Sequence, residues 1–306
     1  MEAVRSVGYM KKSLAHGDGG TDDSVASTVI DVVVTHFEGS WANLVLAGVG
    51  REAAAAGLDL VLTLAQPGSD WASRVLRRRS LGIVGVLLDP SEPQFNVLSA
   101  AGSQLVLIEP MRPAPASVAG VGVANWDAGR MAAEHLLSLG HRRMGVIAGL
   151  SRHIYSRARV DGFRSAVDAA TQGRARVAVA PGQWDEERAA ADTHKLLDAD
   201  PGITAIFACS DPMALGVYTA LAARGLRIPD DVSVIGFDDL PEAHWISPAL
   251  TTIRQPSTRI GETAVKLLLD QRRNPADPRP RSRLEMAAEL VVRASTGPVR
   301  AGGALG

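Results

Sequence analysis

The sequence predicts an α/β protein made of two doubly wound parallel-sheet lobes joined by several crossovers. Three observations predict this fold class. The chain has 306 residues, more than one domain usually contains, so two compact units are expected. Short apolar runs recur at intervals of about 20 to 30 residues, and most segments between them have helical periodicity. Several runs are almost unbroken Val, Ile, Leu and Ala, which is typical of strands that helices cover on both faces.

The apolar runs bounded by turn residues are predicted to be strands. They are Val29 to Thr35, Leu58 to Ala65, Gly82 to Leu88, Gln104 to Glu109, Arg143 to Ala148, Ala175 to Ala180, Ile203 to Ala208 and Val232 to Phe237. The segments of helical periodicity alternate with them. These are Ser40 to Ala56, Asp70 to Arg79, Pro93 to Ala101, Asp127 to Leu139, Ser156 to Thr171, Asp185 to Ala199, Asp211 to Arg224 and Ser257 to Asp270.

Local signals at two helix ends support the helical segments. Asp127 opens an Ala/Leu-rich run that ends just before Gly140, so a carboxylate stands at the start and a glycine past the end. Asp211 followed by Pro212 indicates an N-cap and then a proline at the first helical position.

The order of the segments predicts how the lobes divide the chain. We assign residues 29–124 and about 254–282 to the first lobe, residues 125–253 and about 283–296 to the second, and residues 297–306 to a flexible tail. The proline-rich segments 110–115 and 274–280 are expected to be crossings between lobes or surface loops. A ligand cleft is expected between the lobes, because doubly wound sheets bind ligands beyond the carboxyl ends of their strands.

The composition argues against several classes of function. Lys plus Arg (32) nearly balance Asp plus Glu (33), so no overall positive field favours nucleic acid, although a separate basic module would still bind DNA. The single cysteine, Cys209, excludes an internal disulfide framework and fits a reducing cytoplasm. No apolar run approaches the roughly 20 residues of a membrane span, and residues 1–28 lack the pattern of a signal peptide. We therefore expect a cytoplasmic protein with no membrane partner.

The sequence contains no recognisable catalytic or cofactor motif. Gly48-Val49-Gly50 lies inside a predicted helix and lacks the third glycine of a dinucleotide loop. The 7 histidines have no metal-ligand spacing, and no pair of carboxylates is marked for acid–base chemistry. We expect no enzymatic activity, no cofactor and no metal.

Aromatic residues are placed where the cleft is expected. Trp41, Trp126, Trp184 and Trp245 fall in or next to the predicted strand-end loops. An indole face suits the C–H face of a sugar ring, and a polar rim suits its hydroxyls. The alternative for each tryptophan is that it caps a core or fills a lobe interface.

Polar residues occupy other predicted strand ends. Asp238 and Asp239 follow a strand, and the alternative to two ligand contacts is that one caps a turn and only one faces the cleft. Asp89 also follows a strand. Arg157 and Arg159 fall in the first turn of a helix near a strand end, where an ordinary surface position is the alternative.

Several strings, in the same order along the chain, resemble the LacI/GalR transcription regulators, whose effector domain has the type I periplasmic-binding-protein fold. The strings are Glu134 to Arg143 with Val146 to Gly149, Arg159 to Phe163, Ala205 to Gly216, Ile228 to Asp239, Pro248 to Pro256 and Glu289 to Thr296. The resemblance covers nearly the whole chain. It implies a sugar-like effector in the cleft and a homodimer formed through the sides of the lobes.

The resemblance also implies individual roles. Arg159 and Asp238 match the family's effector-binding arginine and aspartate, Trp184 matches an aromatic residue of a cleft loop, and Ser210 replaces a common asparagine. Trp41 stands in Gly39-Ser40-Trp41-Ala42, where Asn-Pro-Phe-Phe is usual, so the first-lobe contacts stay open. The candidate effector-binding residues are Trp41, Asp89, Trp126, Arg159, Trp184, Ser210 and Asp238.

The amino end departs most from the family pattern. Val4 to Tyr9 resembles only the end of a headpiece helix, Lys11-Lys12 replaces a usual Pro-Asn, and Asp18 stands where a hinge leucine is expected. We expect residues 1–28 to be the remnant of a headpiece end and hinge or linker, and operator DNA to be a partner only if a helix-turn-helix headpiece is present upstream. We favour a start displaced downstream of a headpiece over a truncated sensor.

Two other functions are weighed against the regulator. One is a sugar-binding protein that lacks its export signal, which a hydrophobic segment upstream would support. The other is a dehydrogenase-like enzyme, which would need a glycine-rich turn directly after the first strand. Residues 24–39 do not provide such a turn.

Overall fold

The computed structural model describes residues 28–36, 39–66, 68–274 and 283–299. Three expectations fall mainly outside these residues: the headpiece remnant, the proline-rich segment 274–280 and the tail. No helix among the described residues combines the length with the apolar composition that a bilayer span requires.

The first lobe opens with alternating strands and helices. In chain order these are β1 (Val29–Val34), α1 (Ser40–Ala55), β2 (Asp59–Leu64), α2 (Trp71–Leu76), β3 (Ile83–Val86), α3 (Glu92–Ala100), β4 (Leu105–Ile108) and β5 (Ala119–Val123). The first four strands correspond to predicted runs. Strand β5 was not predicted, because the two glycines in Ala-Gly-Val-Gly-Val weaken the strand signal.

The second lobe repeats the alternation, and the chain then crosses between lobes again. Its elements are α4 (Asn125–Ser138), β6 (Arg143–Ala148), α5 (Ile154–Thr171), β7 (Arg176–Pro181), α6 (Glu186–Ala199), β8 (Ala205–Ala208), α7 (Asp211–Ala223), β9 (Ser233–Asp238), α8 (Glu242–Trp245) and β10 (Thr251–Arg254). The remaining elements are α9 (Ser257–Arg273), β11 (Arg283–Met286) and β12 (Glu289–Val291).

Each lobe is built around one six-stranded sheet. The first has the order β11-β5-β4-β3-β1-β2 and the second the order β12-β10-β9-β8-β6-β7. Pairing is parallel except between β10 and β12. The prediction of an α/β fold with two doubly wound lobes is confirmed, and the predicted strands and helices are all present with ends displaced by at most a few residues.

The last crossing lies later than the sequence indicated. Residues 283–296 were assigned to the second lobe, but β11 pairs in parallel with β5 of the first sheet, with Arg283 opposite Gly120. The crossing therefore falls between Met286 and Glu289. Both terminal strands are short edge strands with charged residues, and such strands lack the apolar pattern that would assign them to a sheet.

Glycines allow the paired helices of each lobe to cross in backbone contact. A Cβ atom at Gly48 of α1 would overlap the carbonyl of Thr258 in α9, and one at Gly162 of α5 would overlap the carbonyl of Trp126 in α4. These crossings set the positions of α1 and α5, whose amino-terminal turns both carry residues of the site described below.

Candidate ligand-binding site

A cavity of about 230 Å³ lies between the two lobes. The first lobe contributes residues that follow β1, β3 and β4, and the second contributes residues at or beyond the ends of β6, β7, β8 and β9. Gln255, directly after β10, completes the lining. The walls thus come from the carboxyl ends of parallel strands, where the topology predicts a ligand site.

Most of the candidate effector-binding residues line this cavity. Trp41 extends from the first turn of α1 in the first lobe, and four residues come from the second lobe: Arg159, Trp184, Ser210 and Asp238. An indole from each lobe, a guanidinium, a hydroxyl and a carboxyl group therefore surround one volume.

Asp89 and Trp126 do not line the cavity. Asp89 is exposed and accepts a 2.6 Å hydrogen bond from Arg112 Nε in a separate groove of about 630 Å³ on the first lobe. The chain turns at Leu87, which has φ 48°, and Leu87 faces the interlobe cavity instead. Trp126 belongs to the first turn of α4, is 41% exposed and lies beside Arg130, whose guanidinium is 5.3 Å from the indole centroid.

Two other residues raised by the sequence are surface residues. Arg157 is exposed on α5, which is the surface position that the sequence left as the alternative. Trp245 is 79% exposed on the short helix α8. Neither lines the interlobe cavity.

Arg159 is held in place by Asn125 at the start of α4 and by the backbone directly after β8. Its side chain is buried, Nε donates to Asn125 Oδ1 at 2.7 Å, and Nη1 donates to the Cys209 carbonyl at 2.6 Å. The guanidinium carbon lies 3.5 Å from the Phe237 ring centroid, within cation–π range. The arginine is therefore preorganised, and a ligand would meet it without having to order it.

Asp238 is the partner of Arg159 across the cavity floor. Its Oδ1 atom lies 3.9 Å from Arg159 Nη1 and accepts a 2.5 Å hydrogen bond from Gln255 Nε2. Burial raises the pKa of Asp238 to about 7, against the opposing effects of Arg159 and Gln255, and Glu109 adds to the increase. Asp238 and Asp239 have φ values of 117° and 58°. Non-glycine residues rarely adopt such positive φ angles, although Asp does so more readily than most, and they cluster at functional sites.

Asp239 has a structural role. Its carboxylate accepts hydrogen bonds from Arg254 Nε at 2.6 Å and Arg293 Nη2 at 2.5 Å, and these arginines hold its pKa below the usual range despite partial burial. Of the two adjacent carboxylates only Asp238 faces the cavity, which is the alternative that the sequence left open.

Asp211 supports the loop that carries Asp238. The sequence indicated Asp211 as the N-cap of α7, but Ser210 is the N-cap, and its Oγ accepts a 3.3 Å hydrogen bond from the Met213 amide. Asp211 is fully buried and accepts from the Leu240 amide at 2.8 Å and from Thr252 Oγ1 at 2.6 Å. Burial, reinforced by the nearby carboxylate of Asp238, raises the pKa of Asp211 well above its ordinary value.

Glu109 is a cavity residue that the sequence did not single out. It ends a predicted strand, has φ 43°, and is buried, with hydrogen bonds from the Val123 amide at 2.6 Å and Asn125 Nδ2 at 3.2 Å. Burial raises its pKa, although the Val123 amide and the Arg283 charge act in the opposite direction. Asn125 thus links Glu109 of the first lobe to the arginine of the second.

An aromatic cluster forms one wall of the cavity. Trp184 Nε1 donates to His153 Nδ1 at 3.1 Å, and the Tyr155 hydroxyl lies 2.9 Å from the same nitrogen. The Trp184 ring lies over Gly149, where a Cβ atom would overlap it. His153 and Tyr155 were not candidates, although both lie in the loop and helix start after β6, where the topology places functional residues.

Three buried polar atoms of cavity residues have no hydrogen-bond partner within the described protein. They are Trp41 Nε1, His153 Nε2 and Gln255 Oε1. Buried polar groups are almost always paired, because an unpaired one loses its hydration without compensation. Three such atoms among the residues of one cavity make its lining polar, which suits a ligand with hydroxyl groups.

The lobes also contact each other directly at the cavity. Ser40 Oγ, at the start of α1, donates to Glu242 Oε1 of α8 at 2.6 Å. The Ile154 amide, at the start of α5, donates to the carbonyl of Met111, which follows β4, at 3.0 Å. One lining residue in each of these pairs, Ser40 and Met111, thus binds the opposite lobe.

Two wound lobes around a cavity at their strand ends define a periplasmic-binding-protein-like domain, and a family model of that description matches residues 133–296. The transcriptional regulator CelR of Thermobifida fusca is 30% identical over 299 residues, which are 96% of this chain and 87% of CelR. The chain belongs to the LacI/GalR family of transcription regulators and corresponds to their effector-binding region.

A second group of relatives matches a shorter part of the chain. The transcriptional repressor PurR of Haemophilus influenzae (strain PittEE) is 35% identical over 172 residues, which are 56% of this chain. The matched part spans 51% of that repressor, about half of its length. These relatives are transcriptional repressors and regulators and not enzymes.

Solved structures agree with this assignment. A LacI-family regulator from Enterococcus faecium with bound ribose has a TM-score of 0.81 and 26% identity, covering 89% of this chain and 100% of its own. The complex of the regulator CelR with cellobiose has a TM-score of 0.78 and 26% identity, covering 96% of this chain and 88% of its own.

Proposed function

We propose that this chain is the effector-sensing and dimerisation region of a cytoplasmic transcription regulator, and that its effector is a neutral polyol about the size of one sugar ring. The concentration of unpaired buried polar atoms around the interlobe cavity, next to the Arg159–Asp238 pair, carries the proposal. Operator DNA is a partner only through a headpiece upstream of these residues, and no cofactor takes part.

The size of the cavity favours a single ring. Pockets for drug-sized ligands usually measure about 300–1,000 Å³, whereas this cavity measures about 230 Å³. Ribose and cellobiose are the sugars bound to the two similar structures. A monosaccharide such as ribose is the better match in size, and a disaccharide would require the lobes to move apart.

The charges of the lining favour a neutral ligand. Among the described residues that line the cavity, Arg159 is the one arginine or lysine, and Asp238 already faces it at 3.9 Å. Glu109 adds a second carboxyl group. A phosphorylated or carboxylated sugar would bring another negative charge next to these carboxyl groups without an unpaired cation to receive it. Hydroxyl groups, in contrast, both donate to carboxylates and accept from Arg, Trp and His.

The proposed mechanism is a shift between two arrangements of the lobes. Bound polyol would bridge Trp41 of the first lobe and Arg159, Trp184 and Asp238 of the second, and thereby favour the closed arrangement. In a homodimer, closure of each protomer would change the spacing of headpieces and thus the affinity for operator DNA. The size of this response equals the difference in the ligand's affinity for the two arrangements.

Thermal unfolding and calorimetric titration with D-ribose, D-xylose, D-glucose, cellobiose and ribose 5-phosphate test the proposal. A monosaccharide that binds is expected to stabilise the protein by about 2.7 kcal/mol at a hundredfold excess over Kd. Cellobiose, which is too large, and ribose 5-phosphate, which is charged, are expected to bind more weakly. Arg159→Met should abolish binding, whereas Arg157→Met, two residues away on the exposed face of α5, should leave it intact. Absence of binding by all three monosaccharides would refute the proposed effector class.

A further inference from the structure

His153 occupies a defined place in the cavity wall. It is the N-cap residue of α5, is 5% exposed and lines the interlobe cavity. Its imidazole is nearly parallel to the Trp184 indole, with an interplanar angle of 15° and centroids 6.4 Å apart. The Tyr155 ring packs against both, with its centroid 5.2 Å from that of His153 and 5.5 Å from that of Trp184. The imidazole is therefore fixed in orientation as well as buried.

The hydrogen bonds of this cluster determine which ring nitrogen carries the proton. An indole N–H is a donor only, and Trp184 Nε1 lies 3.1 Å from His153 Nδ1. Nδ1 must therefore accept, which excludes a proton on that atom. The Tyr155 hydroxyl, 2.9 Å from Nδ1, donates to the same acceptor. In the neutral ring the proton is then on Nε2.

The Nε2–H group is the donor of this cluster that the described protein leaves unpaired. Nε2 is buried and has no hydrogen-bond partner within the described protein. Burial and the charge of Arg152 lower the pKa of His153, while Asp89 acts in the opposite direction. The lowered pKa favours the neutral ring, which has a single N–H donor whose direction is set by Trp184 and Tyr155.

We propose that His153 is a further effector-contacting residue, which donates its Nε2–H to an oxygen atom of the bound polyol, and that Trp184 and Tyr155 are positioning residues that fix this tautomer. This inference rests on the proposed function of the cavity. A fixed donor requires an acceptor at one place, so a hydroxyl or ring oxygen is recognised there and a deoxy or amino position is rejected.

The first test measures the tautomer in the ligand-free protein. Long-range ¹H–¹⁵N spectra of ¹⁵N-labelled protein, with the His153 signals assigned from the His153→Gln variant, distinguish the two tautomers. The wild-type ring is expected to carry its proton on Nε2. Trp184→Phe keeps an aromatic ring but removes the indole donor, and should yield a mixture of tautomers. A wild-type ring protonated on Nδ1, or a mixture in the wild type, would overturn the inference.

The second test measures binding of D-ribose, D-xylose and D-glucose to matched variants. The amide nitrogen of glutamine can occupy the place of Nε2, whereas that of asparagine reaches only the place of Nδ1. His153→Asn is therefore expected to weaken binding by about tenfold, and His153→Gln to retain most of it. Thermal unfolding without ligand checks that both variants fold.

The outcomes separate the inference from the proposed function. If the wild type binds a monosaccharide and His153→Asn binds it equally well, the role of His153 is refuted and the function stands. If the wild type binds none of the three sugars, the proposed effector class fails and the role of His153 fails with it.

Discussion

Replacing Asp238 by asparagine should make the protein more stable, and the gain should depend on pH. The folded protein holds the pKa of this carboxyl at about 7, whereas its ordinary value is 3.8. Below pH 4 the group is mostly protonated in both the folded and the unfolded chain, so it does not lower the free energy of unfolding. As the pH rises from 4 to 7, only the unfolded chain releases its proton, so the wild type loses stability. Above pH 7 the loss is constant.

The size of the effect follows from the shift. About three pKa units correspond to about 4 kcal/mol at 1.36 kcal/mol per unit. The difference in unfolding free energy between Asp238→Asn and wild type should therefore grow by up to about 4 kcal/mol between pH 4 and pH 8.

Urea unfolding curves at half-unit steps from pH 4.5 to 8.5 measure this difference. Asp239→Asn is the matched control, because Arg254 and Arg293 lower the pKa of Asp239, whereas that of Asp238 is raised. The stability that Asp239 contributes is present above its ordinary pKa of 3.8 and is lost only at more acidic pH. This variant should be less stable than wild type by a constant amount over the range. A constant difference for Asp238→Asn as well would refute the reasoning.

The other predictions concern the packing of α1 and the contact between lobes. Gly50→Ala should stabilise the protein by up to about 1 kcal/mol in thermal unfolding, because a Cβ there is 3.9 Å from its nearest neighbour. Gly48→Ala, two residues earlier, should destabilise it by about 1–3 kcal/mol, because the methyl group meets the α9 backbone; equal effects would contradict the close crossing. Ser40→Ala removes the hydrogen bond to Glu242 and should increase the radius of gyration of the ligand-free protein in X-ray scattering, whereas Ser138→Ala, which touches only its own helix, should not. Unchanged scattering of both variants would show that this hydrogen bond does not hold the lobes together.

The fold was accessible from the sequence wherever a strand is covered on both faces. Central strands such as β3 and β4 are fully buried, so their residues are uniformly apolar and the prediction succeeds. The strands that were missed or assigned to the wrong lobe lie at or next to a sheet edge. Strand β5 needs glycine at 122, since a Cβ there would meet the Glu109 carboxylate, and this requirement erases the apolar pattern. Strand β11 is an edge strand with three exposed residues.

The site was only partly accessible, because topology specifies which loops meet but not where their side chains point. Asp89 and Trp126 follow strands as Asp238 does, yet a turn at Leu87 and an early helix start at Asn125 direct them away from the cavity. The contacts of Asn125 and His153 depend on residues 34 and 31 positions away in the chain. A local sequence motif does not show which distant residues a side chain will contact, so the sequence could not identify either residue.

The exchange of terminal elements between the lobes has a consequence for synthesis of the protein. The first sheet ends in β11 and the second in β12, so the first sheet is complete only with Met286 and the second only with Val291. Until these strands emerge from the ribosome, each sheet of the nascent chain has five of its six strands and one open edge. The two sheets should therefore be completed at nearly the same moment of synthesis, in contrast to proteins whose amino-terminal domain folds first.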